Sequence, residues 1–132
     1  MNKEDMIPKE FVPYEQALAL EELGFDGNTF AYYTIADKRL VNGYSLSRNG
    51  FELKAPLYQQ AFRWLREKYN LFGCIDLHVC SPSHWFIRID KIDINDYLYH
   101  SEDENIQYNT YEEAELACLI KLIQIVKEKK NG

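Results

Sequence analysis

Side chains that can bind metal ions or act as nucleophiles are concentrated between residues 74 and 84. Cys74, Asp76, His78 and Cys80 occupy alternate positions, and His84 follows a Ser-Pro-Ser turn. Alternate residues of an extended strand lie on the same face of a sheet, and each residue advances the strand by ~3.3 Å. Cys74 and Cys80 are therefore about 20 Å apart and cannot bind one ion together. His78, Cys80 and His84 are the three residues that can converge.

Two kinds of chemistry are open to His78, Cys80 and His84. Imidazole and thiolate groups are common zinc ligands, and a thiol beside an imidazole can act as a nucleophile with its base. The alternative is that these residues line the wetter face of a sheet. The sequence contains no Cys-x-x-Cys or His-Glu-x-x-His spacing and no phosphate-binding glycine loop. We therefore predict no catalytic residue and no cofactor, and we keep a metal or thiol enzyme at these three residues as an alternative.

The residues around this cluster are typical of a β-hairpin. From Cys74 to Cys80 apolar and polar residues alternate, as in a half-buried strand. After the turn, the apolar face continues with Trp85, Ile87 and Ile89 in a second strand. The opposite face of that strand then carries Phe86, Arg88 and Asp90. This register predicts that Asp76 lies opposite Arg88.

The last helix has the clearest boundaries in the chain. Thr110 is a good N-cap, and Glu113 completes a capping box with it. The pattern predicts a helix over residues 110–129 with Cys118 in the core. Its predicted buried stripe consists of Leu116, Leu119, Ile120, Ile123 and Val126.

Two shorter helices and several strands precede it. Pro13 opens a first helix that Gly24 ends, and Pro56 opens a second helix over residues 56–69. Residues rich in β-formers predict a small hairpin between residues 30 and 47. Two further strands are predicted at 97–100 and 106–108.

These elements predict the class and the domain organisation. We expect one α+β domain over residues 11–132, preceded by a mobile stretch over residues 1–10. The expected architecture is an antiparallel sheet of four to six strands with three helices packed mainly on one face. The predicted order of elements is α-β-β-α-β-β-β-α.

Acidic residues dominate the region before and at the start of the last helix. Between residues 90 and 115 there are one lysine and nine acidic residues: Asp90, Asp93, Asp96, Glu102, Asp103, Glu104, Glu112, Glu113 and Glu115. Their spacing does not match a calcium-binding loop, so we interpret the region as solvated surface. The chain also has ten tyrosines, and exposed tyrosines are enriched in protein interfaces. The predicted partner-binding residues are Glu102, Asp103, Glu104, Tyr97 and Tyr99.

The charge of the whole chain opposes binding to nucleic acid. Its 21 acidic and 15 basic residues give a net charge of −6, which disfavours adhesion to phosphates or to an anionic membrane. The second predicted helix nevertheless carries a local basic face. Nucleic-acid binding through Arg63, Arg66 and Lys68 therefore stays an alternative.

The length of the apolar runs and the number of cysteines bear on where in the cell the protein is located. No apolar run approaches the ~18 residues that span a bilayer, and residues 1–10 lack the apolar centre of a signal peptide. Three cysteines at irregular spacing fit free thiols in a reducing compartment. We expect a cytoplasmic protein with no membrane partner. A sheet face that carries Phe86 and is left uncovered would favour a homodimer.

The segment from Pro56 to Val126 has the helix-strand-strand-strand-helix order of the double-stranded RNA-binding domain. Its last helix begins in a similar way, with TYEEAELAC at residues 110–118. The resemblance implies a layered sheet with helices on one face. In that family, lysines at the start of the last helix contact phosphates, whereas Tyr111, Glu112 and Glu115 stand there in this chain. Carboxylates at those positions would repel RNA, so the resemblance bears on topology alone.

Four phrases resemble a group of small phage- and prophage-encoded bacterial proteins of unestablished function. They are FVPYEQAL (residues 11–18), ELGFD (22–26), APLYQQAFRW (55–64) and YEEAELACL (111–119). This resemblance implies no chemistry. It implies a phage or mobile-element origin and the cytoplasm of a bacterial host cell as the place of action. We therefore expect a non-enzymatic accessory protein that binds another protein.

Overall fold

Helices and short antiparallel strands alternate along the chain. The structure, a computed structural model, describes residues 8–44, 50–78, 84–93 and 97–131. In these ranges the helices are α1 (Tyr14–Glu22), α2 (Tyr58–Tyr69) and α3 (Tyr111–Asn131). The strands are β1 (Ala31–Thr34), β2 (Arg39–Asn42), β3 (Glu52–Ala55), β4 (Leu71–Leu77), β5 (Trp85–Lys91) and β6 (Tyr97–His100). They form two antiparallel sheets with the strand orders β2-β1-β3 and β4-β5-β6.

The α+β class and the three predicted helices are confirmed within the described ranges. Six strands are present there, within the predicted range of four to six. They form two sheets, whereas one sheet was predicted. Strand β3 was not predicted. It forms because Leu53 and Ala55 alternate with half-buried neighbours and pair with β1. Residues 106–108 were predicted to be a strand, but only Tyr108 pairs there, in a single bridge to Trp85.

The chain divides into two compact units, Met1–Ala61 and Phe62–Gly132. The first unit contains α1 and the sheet β2-β1-β3, and α1 packs on β3. The buried Tyr33 hydroxyl donates a hydrogen bond to the Val12 carbonyl at 2.7 Å. Pro8–Glu10 form a 3₁₀ turn at the end of the stretch predicted to be mobile, and residues 1–7 lie outside the described part.

In the second unit α3 packs on β4 and β5. Gly73 on β4 allows the close approach, because a Cβ there would lie 2.8 Å from Cys118 Sγ and 3.0 Å from Leu122 Cδ1. Cys118 is buried, as predicted. The predicted stripe is wrong at Ile120, which is 44% exposed, while Leu122 is fully buried. The helix therefore presents to the sheet a face that is rotated from the predicted one.

The start of α3 has the predicted cap with one difference. The backbone N of Glu113 donates to Thr110 Oγ1 at 3.1 Å, as in a capping box. The Glu113 carboxylate accepts its return hydrogen bond from the backbone N of Asn109 at 3.4 Å, and not from the N-cap residue itself. Both hydrogen bonds fix the direction in which the chain enters the helix.

Candidate functional site

The five predicted partner-binding residues lie on β6 and on the turn that follows it. In the second sheet, β6 pairs with β5, with Arg88 opposite His100 and Ile89 opposite Tyr99. The register shifts by one residue between Ile89 and Asp90, so that Asp90 pairs with Tyr97. A 3₁₀ turn over Ser101–Glu104, hereafter the 101–104 turn, follows the strand directly. We call Tyr97, Tyr99, Glu102, Asp103 and Glu104 the acidic corner.

Two tyrosine hydroxyls bind two carboxylates within the acidic corner. Tyr97 Oη donates to Asp103 Oδ2 at 2.8 Å, and Tyr99 Oη donates to Glu104 Oε2 at 3.3 Å. Partial burial, together with the Glu104 carboxylate, raises the pKa of Tyr99 to about 12, so its hydroxyl keeps its proton. Lys121 Nζ on α3 lies 4.5 Å from the centre of the Tyr99 ring, a cation–π contact. These contacts hold the carboxylates in fixed positions at the surface.

The 101–104 turn is anchored at both ends. Ser101 is fully buried, and its Oγ accepts a hydrogen bond from the backbone N of Ile87 at 3.0 Å. Asn105 closes the turn in the left-handed conformation with φ of 59°, and Ile106 N donates to the Ser101 carbonyl at 2.9 Å. The three acidic side chains between these anchors are exposed. A buried anchor therefore presents a run of carboxylates to solvent.

A row of aromatic rings continues from the acidic corner across the outer face of the second sheet. The Tyr97 and His100 rings are 5.6 Å apart, His100 and Phe86 are 6.4 Å apart, and Phe86 and His78 are 5.4 Å apart. The row thus crosses from β6 over β5 to the end of β4. Tyr97 is 43% exposed, so one end of the row is open to solvent.

Arg88 lies beside this row and binds two carboxylates. Its guanidinium is 3.6 Å from Asp76 and 3.3 Å from Asp90. The predicted pairing of Asp76 with Arg88 is wrong by two residues. Arg88 lies opposite Cys74, and Asp76 lies opposite Phe86. The Asp76 ion pair forms on the diagonal, which a long arginine side chain can reach.

The predicted metal or thiol cluster is described only in part. His78 and His84 meet through the backbone, where His78 N donates to the His84 carbonyl at 2.8 Å. Cys80 lies outside the described residues. Within the described ranges, no three His, Cys, Asp or Glu residues are arranged to hold a metal ion. Burial raises the pKa of Cys74, although Arg88 opposes the rise, and a raised pKa leaves a thiol less reactive.

Two of the three basic side chains of α2 that were predicted to bind phosphate contact other residues of the same chain. Arg63 binds Glu67 one turn later at 2.9 Å, and this hydrogen bond raises the pKa of Arg63. The Arg66 guanidinium lies 5.6 Å from the centre of the Phe72 ring. Lys68 is exposed. Two of the three predicted phosphate contacts, Arg63 and Arg66, therefore already have contacts within the molecule.

Two residues of this site, His100 and Lys121, were not found from the sequence. His100 and not Ser101 is the N-cap of the 101–104 turn, since His100 Nδ1 accepts a hydrogen bond from Glu102 N. Serine is the usual N-cap residue, so the pattern Ser-Glu-Asp-Glu would have indicated Ser101. Lys121 was not singled out, because its contact with the Tyr99 ring joins residues that are distant in sequence.

Comparison with family models, with curated proteins and with solved structures finds no match to this chain. Among the helices of the described residues, none combines the length and the apolar character that crossing a membrane requires.

Proposed function

We propose that the protein is a non-enzymatic interaction module that binds another protein through the acidic corner. The observation that supports this most is the pairing of Tyr97 with Asp103 and of Tyr99 with Glu104 on one anchored turn. Tyrosine gives a large contact area at a small loss of side-chain entropy. Carboxylates held in place beside it need little reorganisation on binding.

The charge of the acidic corner defines the chemistry of the partner. Three exposed carboxylates within four residues favour a basic surface, which they would attract from a distance in low salt. The half-exposed Tyr97 ring would form the centre of the contact, with the carboxylates around it. We therefore propose a partner that presents lysine or arginine around an apolar residue.

The resemblance to phage and prophage proteins supports a bacterial host cell as the setting. On that basis the protein is an accessory protein of a phage or mobile element that acts in the host cytoplasm. Its partner is then a host or phage protein. This placement belongs to the proposal and sets the lysate in which the partner is sought.

The proposal is tested by affinity capture of the tagged chain from bacterial lysate, with and without nuclease, followed by mass spectrometry. The corner variant carries Glu102→Lys, Asp103→Lys and Glu104→Lys. The matched control carries the same charge change on three exposed acids of the first unit, as Glu10→Lys, Glu21→Lys and Glu22→Lys. We expect nuclease-resistant partners that the control retains and the corner variant loses.

Other outcomes count against the acidic corner. Partners that both variants retain would place the contact elsewhere on the molecule. Partners that disappear with nuclease would favour nucleic-acid binding through α2, and Arg63→Gln with Lys68→Gln should then reduce capture. Tyr97→Phe with Tyr99→Phe removes only the two hydroxyls, so a smaller loss of binding with this variant would show what the hydrogen bonds to the carboxylates contribute.

A further inference from the structure

His100 begins the turn that carries the acidic corner, and its ring accepts a backbone hydrogen bond. Nδ1 of the imidazole lies 3.2 Å from the backbone N of Glu102, which donates to it. A ring nitrogen can accept a hydrogen bond only while it carries no proton, and in imidazolium both nitrogens are donors. This cap therefore exists only while Nδ1 is unprotonated.

The surroundings of His100 contain charges of both signs. Phe86 on β5 and Tyr97 on β6 pack near the ring. Among the described residues, Arg88 pairs with His100 across the strands and binds Asp90, and the Tyr97 ring contacts the imidazole. Glu102 and Asp103 follow His100 on the turn. A proton on Nδ1 would remove the cap, because Nδ1 could then no longer accept the hydrogen bond.

We infer that His100 is a pH-sensitive switch of the acidic corner. Imidazole side chains change charge between about pH 5 and pH 8. When His100 gains a proton, Nδ1–H faces the N–H of Glu102, and the hydrogen bond between them is lost. The 101–104 turn then loosens, and with it the positions of Asp103 and Glu104 relative to their tyrosines. The acidic corner is therefore ordered at a pH above the protonation of His100 and loosened at a pH below it.

Nuclear magnetic resonance of the full chain through a pH titration tests this switch. We expect the Glu102 amide signal to move with the same midpoint as the His100 ring. Protection of this amide against hydrogen exchange, corrected for the intrinsic rate, should fall about fivefold as the pH drops, the effect of one ordinary hydrogen bond. His100→Asn supplies a side-chain oxygen that accepts the hydrogen bond at every pH, so the response should vanish. His84→Asn removes another histidine and should leave the response intact.

Two results would overturn the switch: a Glu102 amide that ignores the His100 titration, or an equal response in His100→Asn. His100→Phe keeps an aromatic ring without the acceptor, so Glu102 should be unprotected at both ends of the titration. These measurements need no partner and can succeed or fail independently of the proposed function. Where a partner is captured, the effect on binding rests on that function: Kd should rise about fivefold at acidic pH in the natural chain and stay constant in His100→Asn.

Discussion

The two faces of the sheet β4-β5-β6 are built by the same strands and differ in how closely they are packed. On the inner face Ile87 and Ile89 are at most 1% exposed. Helix α3 lies so close that a Cβ at position 73 would displace neighbouring side chains. On the outer face Arg88 and Asp76 keep 39% and 46% of their side-chain surface exposed. Each outer-face residue lies between inner-face residues in sequence, since side chains alternate along a strand.

Because of this difference, neighbouring residues of one strand have different roles. Inner-face residues stabilise the fold, and outer-face residues are available for contacts with a partner. Substitutions on the inner face remove or overfill contacts that water cannot replace. Substitutions on the outer face exchange exposed contacts for water at small free-energy cost. The carboxylates of the acidic corner are exposed, as on the outer face. The inner side holds them in place, because Ser101 accepts a hydrogen bond from Ile87 N and Tyr99 lies opposite the buried Ile89. The comparison can therefore be tested by pairs of substitutions that differ mainly in the face they occupy.

The largest effect is expected from Ile89→Ala. Ile89 is fully buried between the strands and α3, so the substitution should lower the free energy of unfolding by about 2–5 kcal/mol. Ile92→Ala is the matched control, because Ile92 follows the same strand and is 56% exposed. Its effect should stay within about 0.5 kcal/mol. Urea denaturation measures both, and similar losses in the two variants would contradict the contrast between the faces.

The next effect is expected from Gly73→Ala, which adds a single methyl group to the inner face. The new Cβ would lie 2.8 Å from Cys118 Sγ and 3.1 Å from Phe62 Cε1, so we expect a loss of about 1–3 kcal/mol. Combining it with Cys118→Ala removes the nearest of these atoms. The double variant should then be more stable than the sum of the two single losses predicts. Strict additivity of the two losses would show that overlap with the sulfur is not the cause.

The buried thiol of Cys118 predicts a loss of stability in alkaline solution. Burial raises the pKa of Cys118 to about 12, from an ordinary value of 9.0. Below pH ~9 both the folded and the unfolded thiol are protonated, and the thiol adds no pH dependence. Between pH ~9 and ~12 only the unfolded thiol ionises, so the free energy of unfolding should fall by about 1.4 kcal/mol per pH unit from this group.

Cys118→Ala should remove this part of the alkaline slope, measured by denaturation at several pH values. Cys74→Ala is the outer-face control, because Cys74 is half-buried and Arg88 opposes the rise of its pKa. We expect a smaller change of slope for that variant. Identical slopes in the natural chain and in Cys118→Ala would mean that the thiol is not held in its protonated form by the fold.

The sequence predicted the helices and the hairpin because their signals are local. Thr110 and Glu113 mark the start of α3 through contacts within one turn. Alternation from Cys74 to Cys80 predicted a strand in the same way, and the observed strand β4 begins three residues earlier, at Leu71. The division into two sheets and the strand β3 depend on pairing with distant residues, which no short pattern encodes. The close approach of α3 to Gly73 was also not predicted, because a missing side chain matters only when a helix is packed against it.

The residues of the acidic corner were predicted from composition, and their arrangement was not. Acidic residues and tyrosines within eight positions indicate an exposed surface, but not which hydroxyl binds which carboxylate. The register shift between β5 and β6, which places Tyr97 opposite Asp90, was likewise not visible in the sequence. His100 was missed because histidine is an uncommon N-cap, and only the backbone direction at Glu102 reveals its role.

The smallest effect is expected from the ion pair of the outer face. Asp76→Asn weakens one of the two carboxylate contacts of Arg88, and both partners are substantially exposed. We expect the free energy of unfolding to change by about 0.2–1 kcal/mol in low salt and by less at about 1 M salt, where the charges are screened. A double-mutant cycle of Asp76→Asn with Arg88→Gln isolates the pair. A coupling as large as the loss from Ile89→Ala would mean that the outer face stabilises the fold as strongly as the inner face, because a coupling of that size is found for buried pairs and not for exposed ones.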